Sequence, residues 1–166
     1  MQATQNTASR TPKRLRVTAV LLGALFAAAT ATADDDRRAA VPLLPRYASE
    51  CASCHIAYPP AMLPAASWNR LMQDLPRHFG TDASVDAATQ RELSQWLSTH
   101  AGSYKRVREA PPEDRITRSA WFIREHRELS PATWQRPMVK SAANCAACHT
   151  EAEKGDFDEH HVRIPR

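Results

Sequence analysis

All four cysteines of the chain fall in two short stretches of one pattern, ECASCHIAYPP at 50–60 and NCAACHT at 144–150. Each contains C-x-x-C-H: Cys51, Cys54, His55 in the first, and Cys145, Cys148, His149 in the second. Two thiols about one helical turn apart can form thioethers to the two vinyl groups of one porphyrin. A histidine directly after the second thiol is then held under the iron and supplies an axial nitrogen. Rival chemistries ask for other features. Structural zinc favours C-x-x-C pairs set closer together and has no need of a histidine after both. Disulfide staples suit an exported chain, but cysteines this near in sequence make reactive redox bonds instead. A thioredoxin-like site needs a βαβ pattern, which the sequence lacks. The expectation is two covalently bound c-type haems, attached through Cys51, Cys54, Cys145 and Cys148, with His55 and His149 as axial ligands.

The sixth ligand of each iron decides what such a protein does. An open position permits ligand binding or peroxide chemistry, and a filled one favours simple electron transfer. Met72 falls on an apolar helix face with Trp68 and Leu75, which is core packing. Met62 and Met138 are close in sequence to their motifs and sterically awkward. Five histidines lie outside the motifs. His78 sits in LPRHFG, just past a helix end, where a loop can swing it over the first haem. His100 and His126 each sit on an apolar helix face, where a histidine is often only a satisfied core residue. His160 and His161 lie in a charged tail and are expected to be solvated. Periodicity places His100 ahead of His78, and the residues alone leave the choice open.

The elements that must position these groups are mostly helical. Residues 13–36, KRLRVTAVLLGALFAAATATADDD, combine basic Lys13, Arg14 and Arg16 with an apolar run and close on Ala31-Thr32-Ala33, the layout of a secretory signal peptide. The expectation is a leader over 1–33, cleaved near Ala33, and a periplasmic protein. An uncleaved membrane anchor is the alternative, since the run of about 17 residues is near the lower limit for a span. The whole chain has 22 basic and 18 acidic residues, but four of the basic ones lie in the leader, leaving 18 of each. The alkaline pI therefore belongs to the leader, and no electrostatic footprint for nucleic acid remains. The run YKRVRE at 104–109 reads as a solvated loop, or as a docking patch for an acidic redox partner.

After an extended arm at 34–46 and the first motif, the prolines of YPPAMLP exclude regular helix. Ser67 is a candidate cap for a helix on which Trp68, Leu71, Met72 and Leu75 share one face, ended by Pro76 and Gly80. Asp82 or Ser84 can cap a second helix, running to about Ala101, with Leu93, Trp96, Leu97 and His100 on one face and Gly102 as a stop signal. Residues 102–115 read as a linker. Thr117 or Ser119 can open a third helix over AWFIREHREL, with Phe122, Ile123, His126 and Leu129 on one face, ended at Ser130-Pro131. MVKSAANCAACHT reads as helix into the second motif, and 151–166 as a polar tail. Two haem lobes are expected, 34–103 and 104–166. Apolar content outside the leader is modest, so the two porphyrins are expected to fill much of the interior.

The stretches YASECASCHIAYPPAMLPAASWNRLMQDLPRHFGTDAS, LSQWLSTHA, RITRSAWFIREHREL, VKSAANCAACHTEAEKGDFDE and VRIP resemble the small dihaem cytochrome c family called DHC. The resemblance covers almost the whole chain after the leader, including both haem motifs. It implies a mostly α fold, two haem-binding lobes wrapped by short helices and irregular loops. It implies a monomeric periplasmic electron carrier with bis-histidine haems, not an enzyme. Its expected partners are a membrane b-type cytochrome linked to the quinol pool and, in some bacteria, an oxygen-binding monohaem cytochrome c. By position, HFG implies His78 and WFIREH implies His126 as the distal ligands. His100 ranks third, because such proteins often have asparagine there. The implied pairing is His55 with His78 and His149 with His126, with cross-pairing between the halves as the alternative. A small dihaem peroxidase or ligand-binding haem protein, with one iron open, is the rival.

Overall fold

Tyr47, Leu63, Trp68, Met72, Leu75, Leu93 and Leu97 form a buried cluster that organises the first half of the chain. The computed structural model describes residues 41–166, so the expected leader, its cleavage site and residues 34–40 lie outside the described residues. Five short helices and several single 3-10 turns carry the described chain, and two isolated β-bridges are the only extended pairing in it. No helix among the described residues is long and apolar enough to cross a membrane.

Helix α1 spans Pro45–Cys51. Its proline opens the first turn, where a missing N–H costs nothing. The expected extended arm therefore stops at Leu44, and the first motif begins on a helix end. After the 3-10 turn Pro60–Met62, helix α2 spans Ala65–Gln73. The face predicted for α2 is the one that packs inward, with Trp68, Met72 and Leu75 buried and Leu71 half-buried. The start differs. Pro64 holds the cap position, and Ser67 lies inside the first turn, fully buried. Trp68 Nε1 donates to the Pro60 carbonyl at 2.7 Å, tying α2 to the preceding turn.

Helix α3 spans Ala87–His100 and is capped by Asp86, whose carboxylate accepts from the Ala88 and Thr89 amides. Asp82 caps nothing helical; it accepts from the Ser84 amide in the loop before. Gln90 donates to the Met72 carbonyl at 2.6 Å, and Ser98 to Asn69 Oδ1 at 2.7 Å. These ties run in opposite order along the two helices, so α2 and α3 are antiparallel. Leu93 and Leu97 are buried at their interface, while Trp96 and His100 are half-buried.

Gly102 follows α3, and its role differs from a helix stop. Its φ is not in the left-handed region; a Cβ there would lie 2.4 Å from the Ala61 carbonyl oxygen and 2.5 Å from Val107 Cγ1. The expected linker is thus packed structure: Val107 is buried, and Gly102 N–H donates to the Leu63 carbonyl at 2.9 Å. Lys105, Arg106 and Arg108 around it are exposed. Arg70 grips both carboxylate oxygens of Asp114, at 2.8 and 2.6 Å, fastening the turn at Pro112–Asp114 to α2.

Helix α4 spans Ala120–Glu125. Ser119 caps it, accepting from the Phe122 amide at 3.2 Å and donating to the Ile116 carbonyl at 2.8 Å. Such a cap contributes about 1 kcal/mol. The helix is shorter than expected: it stops at Glu125, and Ile123, placed by periodicity on the inner face, is 59% exposed. Helix α5 spans Pro131–Trp134. The approach to the second motif is not helical. Lys140 has φ +66°, and only Cys145–Ala147 winds into a 3-10 turn. A left-handed residue ends any helix that reaches it. Beyond Ser119 the buried apolar side chains are few: Phe122, Val139, Cys148 and Ala152.

Candidate functional site

Four histidines meet in two pairs. The His55 and His78 ring centroids are 6.2 Å apart with planes 32° apart; those of His126 and His149 are 6.1 Å and 71° apart. Two imidazoles facing one ion, each with a metal–nitrogen bond of about 2 Å and a ring radius of about 1.1 Å, place their centroids about 6 Å apart. Both pairs have this spacing. Either angle is compatible with it, because each ring can rotate about the shared nitrogen–metal axis.

The backbone fixes each ring for local reasons. His55 follows the turn that ends α1, and its Nδ1 lies 2.6 Å from the Ile56 carbonyl. A carbonyl only accepts, so Nδ1 carries the proton and Nε2 presents its lone pair. His78 opens a tight turn in which its carbonyl accepts from the Thr81 amide at 3.0 Å, with Phe79 at φ +50° and Gly80 at φ +96°. Two positive φ values in succession are the type I′ geometry. Glycine adopts one at no steric cost; Phe79 adopts the other against its preference. The Arg115 guanidinium lies 4.3 Å above the Phe79 ring. Histidine 126 is the C-cap of α4. Its amide and its Nδ1 both reach the Phe122 carbonyl, at 3.1 and 2.9 Å, and its ring stacks on Phe122 at 4.0 Å. Again Nε2 is left free to face His149.

His149 closes the second motif. Its amide donates to the Cys145 carbonyl at 2.8 Å, which winds Cys145-x-x-Cys148-His149 into one turn. The segment read as a polar tail folds back onto this turn. Arg163 N–H donates to the Cys148 carbonyl at 2.7 Å, Val162 pairs with His149 as a bridge, and Phe157 packs 5.4 Å from the His149 ring. His160 and His161 are exposed, as expected, each with its Nδ1 beside a carboxylate, Asp158 and Asp156 respectively.

Among the described residues the buried side-chain nitrogens that hydrogen-bond to nothing within the protein are His78 Nδ1, Trp121 Nε1 and His149 Nδ1, two of them on the paired histidines. Burial, then His55 and Arg115, hold the His78 imidazole below its ordinary pKa. Burial and His126 do the same for His149, against a smaller opposing pull from Asp156. Neutral imidazoles are the form that binds a metal. Cys51 and Cys145 are half-buried, with thiols pushed up to about 11, mainly by burial. Cys54 is exposed and Cys148 buried. Imidazoles paired at this spacing, each pair with one member next to two thiols, fit two iron porphyrins held by thioethers.

His100 stands apart from both pairs. Its Nδ1 lies 2.8 Å from the Trp96 carbonyl and its ring 5.0 Å from Trp96, in a cluster with Tyr47. Met138 is 68% exposed, and Met72 is buried in the α2–α3 core. Sequence reasoning missed Tyr58, Trp134 and Phe157. Tyr58 stacks on His55 at 4.7 Å, Trp134 packs 5.7 Å from His126, and Phe157 packs against His149. Aromatic residues flanking the motifs were the available signal.

The family described as dihaem cytochrome c matches residues 47–157, a span that includes both motifs and all four paired histidines. The chain is similar to the crystal structure of a dihaem cytochrome type c from Shewanella baltica OS155, at 38% identity and a TM-score of 0.66 over 75% of this chain and 95% of that one. It is also similar to a dihaem cytochrome c from Rhodobacter sphaeroides, at 42% identity and a TM-score of 0.64 over 72% and 100%. No curated relative matches.

Proposed function

This chain belongs to the dihaem cytochrome c family and carries two haem c groups, and from that premise we propose that it is a periplasmic carrier of single electrons whose irons are each held between two histidines. The observation that carries the reading is the pair of imidazole–imidazole spacings, 6.2 and 6.1 Å. Haem c, when bound, supplies a one-electron ferric/ferrous couple. His55 and His149, next to the motif cysteines, would each hold one iron, and His78 and His126 would supply the second nitrogen to each. Four histidines placed in this way would exclude oxygen and peroxide from both irons, which separates a carrier from a peroxidase. Imidazole donates more strongly than a thioether, so the pairs favour low potentials compared with His/Met ligation. The Ile56 and Phe122 carbonyls strengthen this by drawing on the Nδ1 protons of His55 and His126.

Electrons arrive from a membrane b-type cytochrome and leave to a terminal haem protein, for which an oxygen-binding monohaem cytochrome c is the proposed type. The family resemblance supports that assignment. The leader sequence and the thioether motifs support the periplasm.

Carbon monoxide tests the reading. Added to the fully reduced holoprotein, it should leave the Soret band in place at both haems. A large Soret shift would mean that one iron is open, and the peroxidase or ligand-binding reading would replace this one.

A further inference from the structure

We propose that Tyr58 is a positioning residue that holds the two haem sites at one fixed spacing and thereby sets how fast an electron crosses between them. The proposal rests on the reading that both sites hold haem.

One side chain touches both sites. The Tyr58 ring stacks on the His55 imidazole, centroids 4.7 Å apart and planes within 24°. Its hydroxyl donates to the Ala143 carbonyl at 2.7 Å, 85 residues further along the chain. Ala143 lies two residues before Cys145, whose Sγ is 3.7 Å from the same carbonyl. The tyrosine thus runs from an axial ligand of the first site to the loop that opens the second.

Its own placement is tightly fixed. Pro59 follows it and restricts its backbone to extended conformations. The Tyr58 carbonyl accepts from the hydroxyl of buried Tyr47 at 2.9 Å, and Tyr47 packs against Trp96 at 5.1 Å. Anchored in this way to the α1–α3 core, Tyr58 transmits its position to the Ala143 loop, where no regular helix supplies stiffness.

The step it serves needs only geometry. One electron leaves the ferrous site and enters the ferric one, oxidising the first iron and reducing the second. No bond breaks and no proton moves. The rate then falls steeply with separation and depends on orientation, and those are the quantities a stack plus a hydrogen bond fixes. Filling space would need only the ring; the hydroxyl is the part that ties the loop.

The test compares holoprotein with Tyr58→Phe, which keeps the stack and loses the tie, and with Tyr58→Leu, which loses both. Interhaem exchange is measured by two-dimensional NMR exchange spectroscopy of half-reduced protein, alongside the low-spin optical spectrum. The expected result is a several-fold slower exchange in Tyr58→Phe and slower again in Tyr58→Leu, with both haems still low-spin. Unchanged exchange in both variants overturns the proposal. A measurement on the unsubstituted protein guards against variants that fail to load haem: in NMR the Tyr58 ring protons should shift with the redox state of each haem, since the ring stacks on His55 and its hydroxyl reaches the Ala143 carbonyl. Ring protons that respond to one haem alone overturn the proposal as well. A wild-type spectrum with a high-spin haem instead overturns the ligation reading beneath it, before any variant is compared.

Discussion

Replacing His126 with alanine should turn one haem, and only one, from low spin to high spin, and replacing His78 should do the same to the other. Each substitution removes one imidazole from a pair whose partner stays attached through its motif. The porphyrin would keep its thioethers and the iron its His149 or His55 nitrogen, and only the sixth ligand would be lost. Half of the low-spin absorbance should disappear in each variant. Carbon monoxide should then bind once per chain, and the potential of the altered haem should rise as imidazole donation is lost. Replacing His100 should leave both haems low-spin, since its ring contacts Trp96 and neither histidine pair. Optical and magnetic spectra of the three variants check this. A high-spin haem in the His100 variant, with His126 or His78 dispensable, would mean that the pairs are packing contacts and not ligand sets.

Gly102→Ala should cause a larger loss of stability than the same change at Gly80 or Gly155. The new Cβ would sit 2.4 Å from a backbone oxygen, Ala61 O, and 2.5 Å from a buried valine methyl. Neither neighbour can yield easily. The Ala61–Leu63 turn is pinned by the Gly102 N–H bond to Leu63 and by the Trp68 indole on Pro60, and Val107 is buried. Overpacking of this kind costs about 3 kcal/mol at the upper end of its usual range. For a domain of this size that lowers the melting temperature by roughly 10 °C. Thermal unfolding of the holoprotein, followed by circular dichroism, measures it. A melting temperature within error of the parent would show that the 102–107 segment can move aside and is not packed structure.

The motifs and the two longest helices were legible because their signals are local. The C-x-x-C-H spacing is read within five residues, and the faces of α2 and α3 repeat within each helix. Trp68, Met72, Leu75, Leu93 and Leu97 all lie where that periodicity puts them. Caps were less legible. Asp86 holds the cap expected of Asp82 or Ser84, and a proline takes the place expected for Ser67.

The misses share a cause, namely contacts made far along the chain. Nothing near Tyr58 points to Ala143. Nothing in the polar composition of 151–166 shows that Phe157, Val162 and Arg163 return to the second motif. The helix expected before Cys145 fails at Lys140, whose positive φ no helix-forming pattern predicts. Histidine 126 was found on a helix face, but its position as the cap of a six-residue helix, with one carbonyl fixing both its amide and its ring, was visible only in three dimensions. The resemblance ranks His78 above His100 where periodicity ranks them the other way, and the His78 ring lies 6.2 Å from that of His55.

The most direct test of two histidine-paired irons is the electron paramagnetic resonance spectrum of the fully oxidised holoprotein. Imidazole planes that are close to parallel split the iron d orbitals and give a rhombic low-spin signal; crossed planes bring those orbitals together and give a far more anisotropic one. With planes 32° apart at His55/His78 and 71° apart at His126/His149, the account predicts two different low-spin signals of equal intensity, one of each kind. A high-spin ferric signal, or a total of one iron spin per chain, would contradict it.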